Sequence, residues 1–402
     1  MAKIWEDNVA YTVLRPYVDA TTHFSTKSIT VEGEENIPQD GAVILAPNHC
    51  NTLMDALVVL QARKEPTVFG ARADIFRKKK AAAALRFLKI LPLTRARDGI
   101  RAVIDNEAII EEITDTLAHG VKFCMFSEGT HRAKHSLLPI KKGITRIALR
   151  AVPELQKAGK DVFIVPMGIE YGDYFRFKTS VTLRYGEAIN VSEYLRQNPE
   201  MLESEVHKNL TAQLAERMAS LITYLPDDAN YDADWTLFKI DGKRGERSRK
   251  QRSAARRFEK KRLDAKVSFR SFGHRWPALR VLLKAVLAIL ALPAFLVCSV
   301  LSFPMWGLSS VLKKRIKDPA FMNTARFACK FALGPILFVI WALVFFLTMP
   351  WYIALILLIV SCYSNSLHYL YCEFVRILFS DIRLLFRGDL QKKYDSLKNQ
   401  SI

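Results

Sequence analysis

The chain has 402 residues and a formal net charge of +19 at pH 7. This length is more than one ordinary hydrophobic core needs, so we expect two or three folding units, and the positive charge predicts an anionic partner such as phosphate esters, nucleic acid or acidic lipid headgroups. Six cysteines form no close pair and no metal-ligand spacing, which argues against a disulfide scaffold or a metal centre. The opening segment, with Glu6, Asp7 and Asp19, lacks the apolar core of a secretory signal, so we expect the N-terminal part to stay in the cytosol.

Residues 27–190 alternate short apolar runs with longer stretches of helical periodicity. The runs are bounded by Gly, Pro or Asn and have the apolar centres that are typical of strands buried on both faces. They are GAVILAPN, PTVFGAR, VKFCMFSEG, KDVFIVPMGIEYG and TSVTLRYGEAI. Between them, AAAALRFLKIL, DNEAIIEEITDTLAHG and GITRIALRAVPELQKAGK predict helices, and residues 199–224 predict a helix that closes the domain. Strands that alternate with helices predict an α/β domain with a mainly parallel sheet flanked by helices.

In the C-terminal half, a basic segment precedes two very apolar ones. Residues 243–262 carry eleven basic residues against two glutamates. Residues 281–312 contain a single charge and 331–363 contain none, and each run exceeds the roughly 20 apolar residues that a membrane span needs. Basic residues flank both runs, so we expect the flanks to lie on the cytoplasmic side and each run to enter the membrane and return. Bent or re-entrant hairpins are also favoured by interior prolines, namely Pro293, Pro304 and Pro350.

His49 and Asp55 lie six positions apart at the end of the run GAVILAPN. A carboxylate in the first turn of the next helix can accept a hydrogen bond from one imidazole nitrogen and leave the other basic. Such a pair can take a proton from a hydroxyl that attacks an activated acyl group. The alternative is structural: Thr52-Leu53-Met54-Asp55 fits a capping box, in which Asp55 only finishes a helix N-terminus and His49 is a loop residue. Both interpretations can hold together, because a carboxylate has two oxygens.

Two further polar stretches follow apolar runs. In FSEGTHR, Gly129 allows close backbone approach to an anion, Thr130 offers a hydroxyl, and His131 and Arg132 supply positive charge. In ILPLTRARDG, the planar guanidinium of Arg95 suits a phosphate. Each stretch alone also fits a solvated polar loop on a basic protein. Since loops at the carboxyl ends of parallel strands converge, we expect these stretches to meet at one edge of the sheet.

Taken in order, these stretches resemble the four motif blocks of the glycerolipid acyltransferases, which esterify glycerol 3-phosphate or lysophosphatidic acid. The resemblance covers about residues 30–190, and the ordered set is more specific than any single block. The blocks in this chain are Asn48-His49 with Asp55, Arg95, Phe126-Ser127-Glu128-Gly129-Thr130 and Val165-Pro166-Met167. Five residues separate the histidine from the aspartate where the commonest form has four. This spacing resembles the branch that begins Asn-His-x-Asn, which includes eukaryotic glycerol 3-phosphate acyltransferases and many bacterial relatives.

The resemblance implies direct transfer of an acyl chain from acyl-CoA or acyl carrier protein, a co-substrate, to a hydroxyl of glycerol 3-phosphate or 1-acylglycerol 3-phosphate, with no cofactor. It implies His49 as the base and Asp55 as its orienting partner. The substrate-binding residues that it implies are Asn51, Arg95, Glu128, Gly129, Thr130, His131 and Arg132. Because a carboxylate repels phosphate, we expect Glu128 to bind a glycerol hydroxyl or to fix Arg95. Ser127 replaces the usual proline and His131-Arg132 replaces the common Arg-Ser, which leaves the choice of acceptor open.

The organisation expected from the sequence has five segments. They are an N-terminal amphipathic helix at 1–30, an acyltransferase α/β domain at 31–235, a basic linker or helix at 236–280, membrane-embedded helical hairpins at 281–375 and a basic cytoplasmic tail at 376–402. We expect an integral membrane protein whose partners are anionic lipid, an acyl donor and the acceptor. We place it in a bacterial inner membrane, because the chain is compact and carries no sorting tail. Nucleic acid is not expected, because the long basic segment contains a single aromatic residue. The alternative function is a non-catalytic, membrane-tethered scaffold that binds anionic lipid.

Overall fold

The computed structural model describes residues 3–94 and 100–400, with side chains for all of these except 100–106. The chain divides into two compact units. Unit 1 comprises Met1–Tyr224 and Leu312–Ala328, and unit 2 comprises Leu225–Val311 and Cys329–Ile402. The expected division into five segments stays a prediction.

Unit 1 is an α/β structure built on one eight-stranded sheet. Its strands are β1 (Ser28–Glu32), β2 (Ala42–Pro47), β3 (Thr67–Arg72), β4 (Ile90–Leu93), β5 (Lys122–Met125), β6 (Val162–Tyr171), β7 (Ser180–Tyr185) and β8 (Ile189–Asn190). Its helices are α1 (Val9–Ser25), α2 (Leu53–Ala62), α3 (Lys79–Phe87), α4 (Ile100–Ala118), α5 (Gly143–Lys157), α6 (Val191–Gln197) and α7 (Glu203–Ser220). The strand order is β1-β7-β6-β2-β5-β3-β4, with β8 beside β6. The sheet is parallel apart from the pairs that β6 makes with β7 and with β8, which are antiparallel.

The sheet is covered by helices on both faces, which explains why its central strand β2 is apolar throughout. All six residues of β2 are buried. Successive side chains of a strand point to opposite faces, so that Ile44 packs in one core with residues of α4, α5 and α7, whereas Val43 and Leu45 pack in the other with residues of α2. The predicted fold class, a mainly parallel sheet flanked by helices, is confirmed.

The prediction for AAAALRFLKIL was partly wrong. The predicted helix ends at Phe87, and the last apolar residues of the stretch belong to β4. The backbone turns at Lys89, which has φ 58°, and the Lys89 carbonyl then accepts a hydrogen bond from the N–H of Phe69 in β3. Pairing with β3 thus overrides the helical periodicity. Pro92 is tolerated in β4 because β4 is an edge strand.

The remaining helices include three that are long and apolar enough to cross a membrane, α10, α12 and α13. The helices from residue 231 onward are α8 (Tyr231–Asp241), α9 (Arg249–Asp264), α10 (Pro277–Leu301), α11 (Phe303–Lys313), α12 (Phe321–Thr348), α13 (Trp351–Leu385) and α14 (Gly388–Asn399). In the most apolar stretch of each helix, only 11% of the residues of α10, 11% of those of α12 and 28% of those of α13 are buried within the protein. Their apolar side chains therefore face outward, which is unfavourable in water and indicates association with a membrane.

Each predicted apolar run is broken into two helices. The first run is divided between α10 and α11 at Ser302, and the second between α12 and α13 next to Pro350, which is the N-cap of α13. Pro293 lies inside α10. The breaks fit the predicted hairpins, whose course through the membrane stays a prediction.

Glu170 connects several parts of unit 1. Its Oε1 lies 3.5 Å from Nδ1 of His135 and accepts the N–H of Thr223 at 3.1 Å, and its Oε2 accepts a hydrogen bond from Arg184 at 2.9 Å. Burial alone would raise the pKa of the Glu170 carboxyl, but the hydrogen bonds from His135, Thr223 and Arg184 together lower it to about 2. A carboxyl whose pKa is lower in the folded state stabilises the fold above its unfolded pKa, and this contribution is lost as the pH falls toward the folded pKa.

We expect Glu170→Gln to lower the free energy of unfolding by roughly 2–3 kcal/mol at neutral pH, because it removes this ionised acceptor. The difference from the wild type should shrink as the pH falls from about 4.5 toward 2, where the wild-type carboxylate is itself protonated. Thermal unfolding of the detergent-purified protein at about pH 7 and pH 3.5 measures both effects. Glu187→Gln is the control, since Glu187 is 82% exposed and lies 3.4 Å from Arg217. An equal destabilisation by Glu170→Gln at both pH values would contradict the assignment.

Candidate active site

The structure brings His49 and Asp55 together at the carboxyl end of β2. His49 lies in the loop that follows this strand, and Asp55 lies in the first turn of α2. The Nδ1 atom of His49 is 2.7 Å from Oδ2 of Asp55. The Asp55 side chain is fully buried, whereas that of His49 is 18% exposed. The pair therefore combines a buried carboxylate with an imidazole that solvent can reach.

Four other donors surround the Asp55 carboxylate, one of which is the Cys50 thiol, with Sγ 3.6 Å from Oδ1. Its Oδ2 accepts the backbone N–H groups of Cys50 at 2.8 Å and Asn51 at 2.7 Å, and its Oδ1 accepts the hydroxyl of Tyr171 at 2.9 Å. A buried charge needs such partners, because burial without them costs several kcal/mol. Since Oδ2 already acts as an acceptor for two backbone donors, Nδ1 of His49 carries its proton and donates to Asp55. The basic nitrogen of His49 is therefore Nε2.

The hydrogen bonds of Asn48 explain why an asparagine precedes His49. Its side chain Nδ2 donates to the carbonyl of Ile169 at 3.1 Å, and its Oδ1 accepts the N–H of Ile169 at 2.6 Å. The side chain thus imitates a peptide group and continues the pairing of β2 with β6 beyond Pro47 and Met167, the last paired residues. These two hydrogen bonds hold the start of the loop that carries His49 against β6.

The predicted capping box is not formed. Thr52 is the N-cap of α2, but its side chain makes no hydrogen bond to the start of the helix. Its Oγ1 lies instead 2.7 Å from Oγ1 of Thr324. Asp55 does satisfy backbone donors, but these belong to Cys50 and Asn51 in the loop before the helix. The structural and the functional interpretations of Asp55 therefore share one carboxylate.

Glu128 ties the loop after β2 to the loop after β5. Its Oε1 accepts the backbone N–H of His49 at 2.9 Å, and its Oε2 accepts that of Leu138 at 2.9 Å. In return, the N–H of Arg132 donates to the carbonyl of His49 at 2.9 Å. Burial raises the pKa of the Glu128 carboxyl, although both backbone donors oppose this. Its contact with the acceptor stays a prediction, and fixing the backbone of His49 is a role that the sequence did not reveal.

Two other predicted binding residues also have partners within the protein. Nη2 of Arg132 donates to Oγ of Ser136 at 2.7 Å and to the carbonyl of Leu137 at 3.2 Å. Nδ2 of Asn51 donates to the carbonyl of Tyr174 at 3.0 Å, and Asn51 is buried. Both side chains thus shape the loops around His49, and their contacts with substrate stay predictions.

The backbone after β5 turns through Gly129, which has φ 70°, a conformation that favours glycine. Thr130 follows it on the surface. These two residues therefore lie beside the loop of His49, as the sequence predicts, because Glu128 joins the two loops. Arg95 lies outside the described residues.

Two rings pack against the His49 ring, and contacts of this kind between rings were not predicted. Phe126 stacks on it with ring centroids 4.4 Å apart, and His131 meets it edge-on at 5.7 Å. The His131 ring in turn packs edge-on against Phe321, with ring centroids 5.2 Å apart, and its Nε2 lies 2.8 Å from Oδ2 of Asp318. Phe126 lies two residues before Glu128 in the same motif block, so its position was a usable signal. Asp318 and Phe321 carry no such signal, because they lie far away in sequence.

A family model named Acyltransferase matches residues 28–170, a range that includes both His49 and Asp55. The chain contains an acyltransferase domain. All the motif blocks that resemble the glycerolipid acyltransferases lie within this range.

Curated relatives come from two yeasts. Glycerol-3-phosphate O-acyltransferase 2 of Saccharomyces cerevisiae is 32% identical over 118 residues, or 28% of this chain and 15% of that protein. Glycerol-3-phosphate O-acyltransferase 1 of the same yeast is 27% identical over 116 residues, again 28% of this chain and 15% of that protein. An uncharacterized acyltransferase of Schizosaccharomyces pombe is 22% identical over 125 residues, 31% of this chain and 18% of that protein. The chain thus matches less than a fifth of the length of each relative.

Among solved structures, the 1-acyl-sn-glycerophosphate (LPA) acyltransferase PlsC of Thermotoga maritima aligns with 24% sequence identity and a TM-score of 0.37. The alignment covers 52% of this chain and 80% of that one.

Tyr171→Phe tests the network around Asp55, because it removes one buried donor at nearly constant volume. We expect it to lower the free energy of unfolding by about 1.5–3 kcal/mol, the usual range for a hydrogen bond to a charged group. Denaturant unfolding measures the change, and Tyr224→Phe, at the protein surface, is the matched control. An unchanged stability in Tyr171→Phe would show that Oδ1 of Asp55 finds an equivalent donor.

Proposed function

We propose that this protein transfers an acyl chain from acyl-CoA or acyl carrier protein to a hydroxyl of glycerol 3-phosphate or 1-acylglycerol 3-phosphate. The observation that carries the proposal is the 2.7 Å contact between Nδ1 of His49 and Asp55, at the carboxyl edge of the sheet of an acyltransferase domain. Loops at this edge of a parallel sheet are where ligands bind in open α/β proteins.

In the proposed reaction, Nε2 of His49 takes the proton from the acceptor hydroxyl as its oxygen attacks the thioester carbonyl carbon. A C–O bond forms, the C–S bond breaks, and the imidazolium returns its proton to the departing thiolate. Asp55 stabilises the imidazolium in between through its contact with Nδ1. The products are the ester and the free thiol of the donor, so protons and electrons balance without a cofactor.

Cys50, the neighbour of His49, is the obvious candidate for a covalent alternative. Burial, and next to it the charge of Asp55, raise the pKa of the Cys50 thiol well above its usual range. A thiol is a good nucleophile only as the thiolate. Direct transfer to the acceptor is therefore favoured over an acyl-enzyme at this position.

The acceptor phosphate is the second element of the proposal. Arg132 brings positive charge into the loop after β5, next to His131, and Thr130 is exposed beside the turn at Gly129. Charged donors bind phosphate oxygens about twice as strongly as neutral ones. Because this loop is tied to His49 through Glu128, a phosphate held there places the acceptor near the base.

Attachment to a membrane suits this chemistry, because an acylated glycerol phosphate is a lipid. The three long apolar helices provide the attachment, and we place the domain on the cytoplasmic side on the basis of the flanking charges. Basic α9 would lie against an anionic leaflet, where each nearby Lys or Arg contributes about 1 kcal/mol. Some of its charges are already neutralised, since Arg252 pairs with Asp234 and Arg262 with Glu259.

We expect His49→Ala to reduce acyl transfer by at least about 10²-fold, because it removes the proposed base, while membrane insertion stays intact. Release of the donor thiol from acyl-CoA in the presence of glycerol 3-phosphate or lysophosphatidic acid measures the activity. Alkaline extraction of membranes measures insertion. His23→Ala, on the exposed side of α1, is the matched control.

Equal activity in His49→Ala would rule out the base role. If the wild type releases no thiol with any acceptor or donor, the proposed reaction is wrong and a lipid-binding scaffold is favoured.

A further inference from the structure

The segment Leu312–Ala328 lies between the two apolar runs in sequence, yet it belongs to unit 1 together with the acyltransferase domain. Thr324 contacts Thr52 through their hydroxyl oxygens at 2.7 Å, and Nδ2 of Asn323 donates to the carbonyl of Tyr174 at 2.9 Å. These contacts attach the segment to the loop after β2 and to the loop after β6. The segment therefore lies at the same edge of the sheet as His49.

Asp318 is the residue of this segment that reaches the site most directly. Its Oδ2 is 2.8 Å from Nε2 of His131, and its Oδ1 accepts the N–H of Ala320 at 2.9 Å. The ring of Phe321 meets the His131 ring edge-on at 5.2 Å. The imidazole of His131 is thus held between Asp318 and Phe321 on one side and His49 on the other.

The stability of the fold does not account for this pair. The Asp318 side chain is 49% exposed, and exposed ion pairs contribute about 0–1 kcal/mol. An effect on the orientation of His131 is of more consequence, because its ring packs edge-on against that of His49, with ring centroids 5.7 Å apart. A carboxylate bound to one imidazole nitrogen fixes the orientation of the ring and therefore the direction in which the other nitrogen points.

We propose that Asp318 is a positioning residue for the acyl acceptor, acting through His131. With Nε2 of His131 held 2.8 Å from Asp318, Nδ1 is the ring nitrogen left to face the acceptor, and when the ring is protonated it donates to an oxygen of the acceptor's phosphate monoester. Asp318 itself does not touch the acceptor, which its negative charge would repel. The inference rests on the proposed function, and it makes the segment between the apolar runs a part of acceptor recognition.

Asp318→Asn is the decisive variant, because asparagine keeps the shape and can still accept the N–H of Ala320 but has no charge. We expect it to raise KM for the acceptor about 3- to 5-fold, with kcat changed by less than about two-fold. Asp318→Glu, which restores the carboxylate, should recover part of this loss. Asp161→Asn removes a carboxylate that pairs with Arg196 before β6, at the amino end of the sheet, and should leave KM unchanged.

A double-mutant cycle with His131→Asn separates action through His131 from an independent effect. If Asp318 works through His131, then Asp318→Asn adds nothing in the His131→Asn background. The inference is overturned if the increase in KM of the double variant is the product of the increases in the two single variants. It is also overturned if Asp318→Asn leaves KM unchanged. Neither result would contradict acyl transfer by the wild type.

Equilibrium binding distinguishes this failure from failure of the proposed function. Titration of full-length His49→Ala with glycerol 3-phosphate, and in parallel with lysophosphatidic acid, needs no turnover. Adding Asp318→Asn to His49→Ala should raise the Kd for the acceptor by the same factor, about 3- to 5-fold. If the double variant binds the acceptor more weakly than His49→Ala, but the wild type does not transfer acyl groups, the proposed reaction is refuted and the phosphate site is retained. If the double variant and His49→Ala bind the acceptor equally well, the role of Asp318 is refuted.

Discussion

The buried carboxylate of Asp55 is the constraint on which the site depends. Taking this charge out of water is unfavourable unless its oxygens are hydrogen-bonded. The loop after β2 must therefore fold back so that the N–H groups of Cys50 and Asn51 point at Asp55, and the same fold brings the imidazole of His49 to 2.7 Å. The conformation of the loop and the orientation of the base are consequences of one electrostatic requirement.

This requirement also explains how five residues between the histidine and the aspartate still give a close pair. The loop absorbs its length in a turn that leaves Thr52 at φ 50°, a conformation that a β-branched residue rarely adopts. Such strain persists only where neighbouring contacts over-determine it. Here the backbone donors to Asp55 act on one side of Thr52, and its hydroxyl contact with Thr324 acts on the other.

The parts of the fold that could be predicted are those whose signal is local. β2, β5 and β6 are mostly apolar because both faces of the sheet are covered, so each appears as an apolar run bounded by turn residues. Lys122 in β5 and Glu170 in β6 are the charged exceptions. β1 and β4 lie at the two edges of the sheet, and β4 follows α3 so closely that its apolar residues continue the helical pattern. Short edge strands are recognised by their partner, and the partner is a long-range property.

The candidate site divides in the same way. His49 and Asp55 are near in sequence, and the loop of Glu128 follows a strand of its own, so their meeting at one edge follows from a parallel sheet. Tyr171 reaches Asp55 because β6 lies beside β2, an order of strands that no local pattern encodes. The contacts of Glu128 with the backbone of His49 and Leu138 could not be predicted for a related reason, because a motif shows which residue is present but not which backbone donors it meets.

The limits of the family match and of the folding unit differ, and the difference has a physical cause. The match ends at residue 170, whereas unit 1 continues to Tyr224 and includes Leu312–Ala328. Segments that cover an edge of a sheet need only supply contacts of the right kind, as Asn323 does for the carbonyl of Tyr174, so their sequences can vary while the strands beneath them stay recognisable. In the proposed function, a segment that reaches His131 from beyond the matched region would affect acceptor recognition without altering the pair formed by His49 and Asp55.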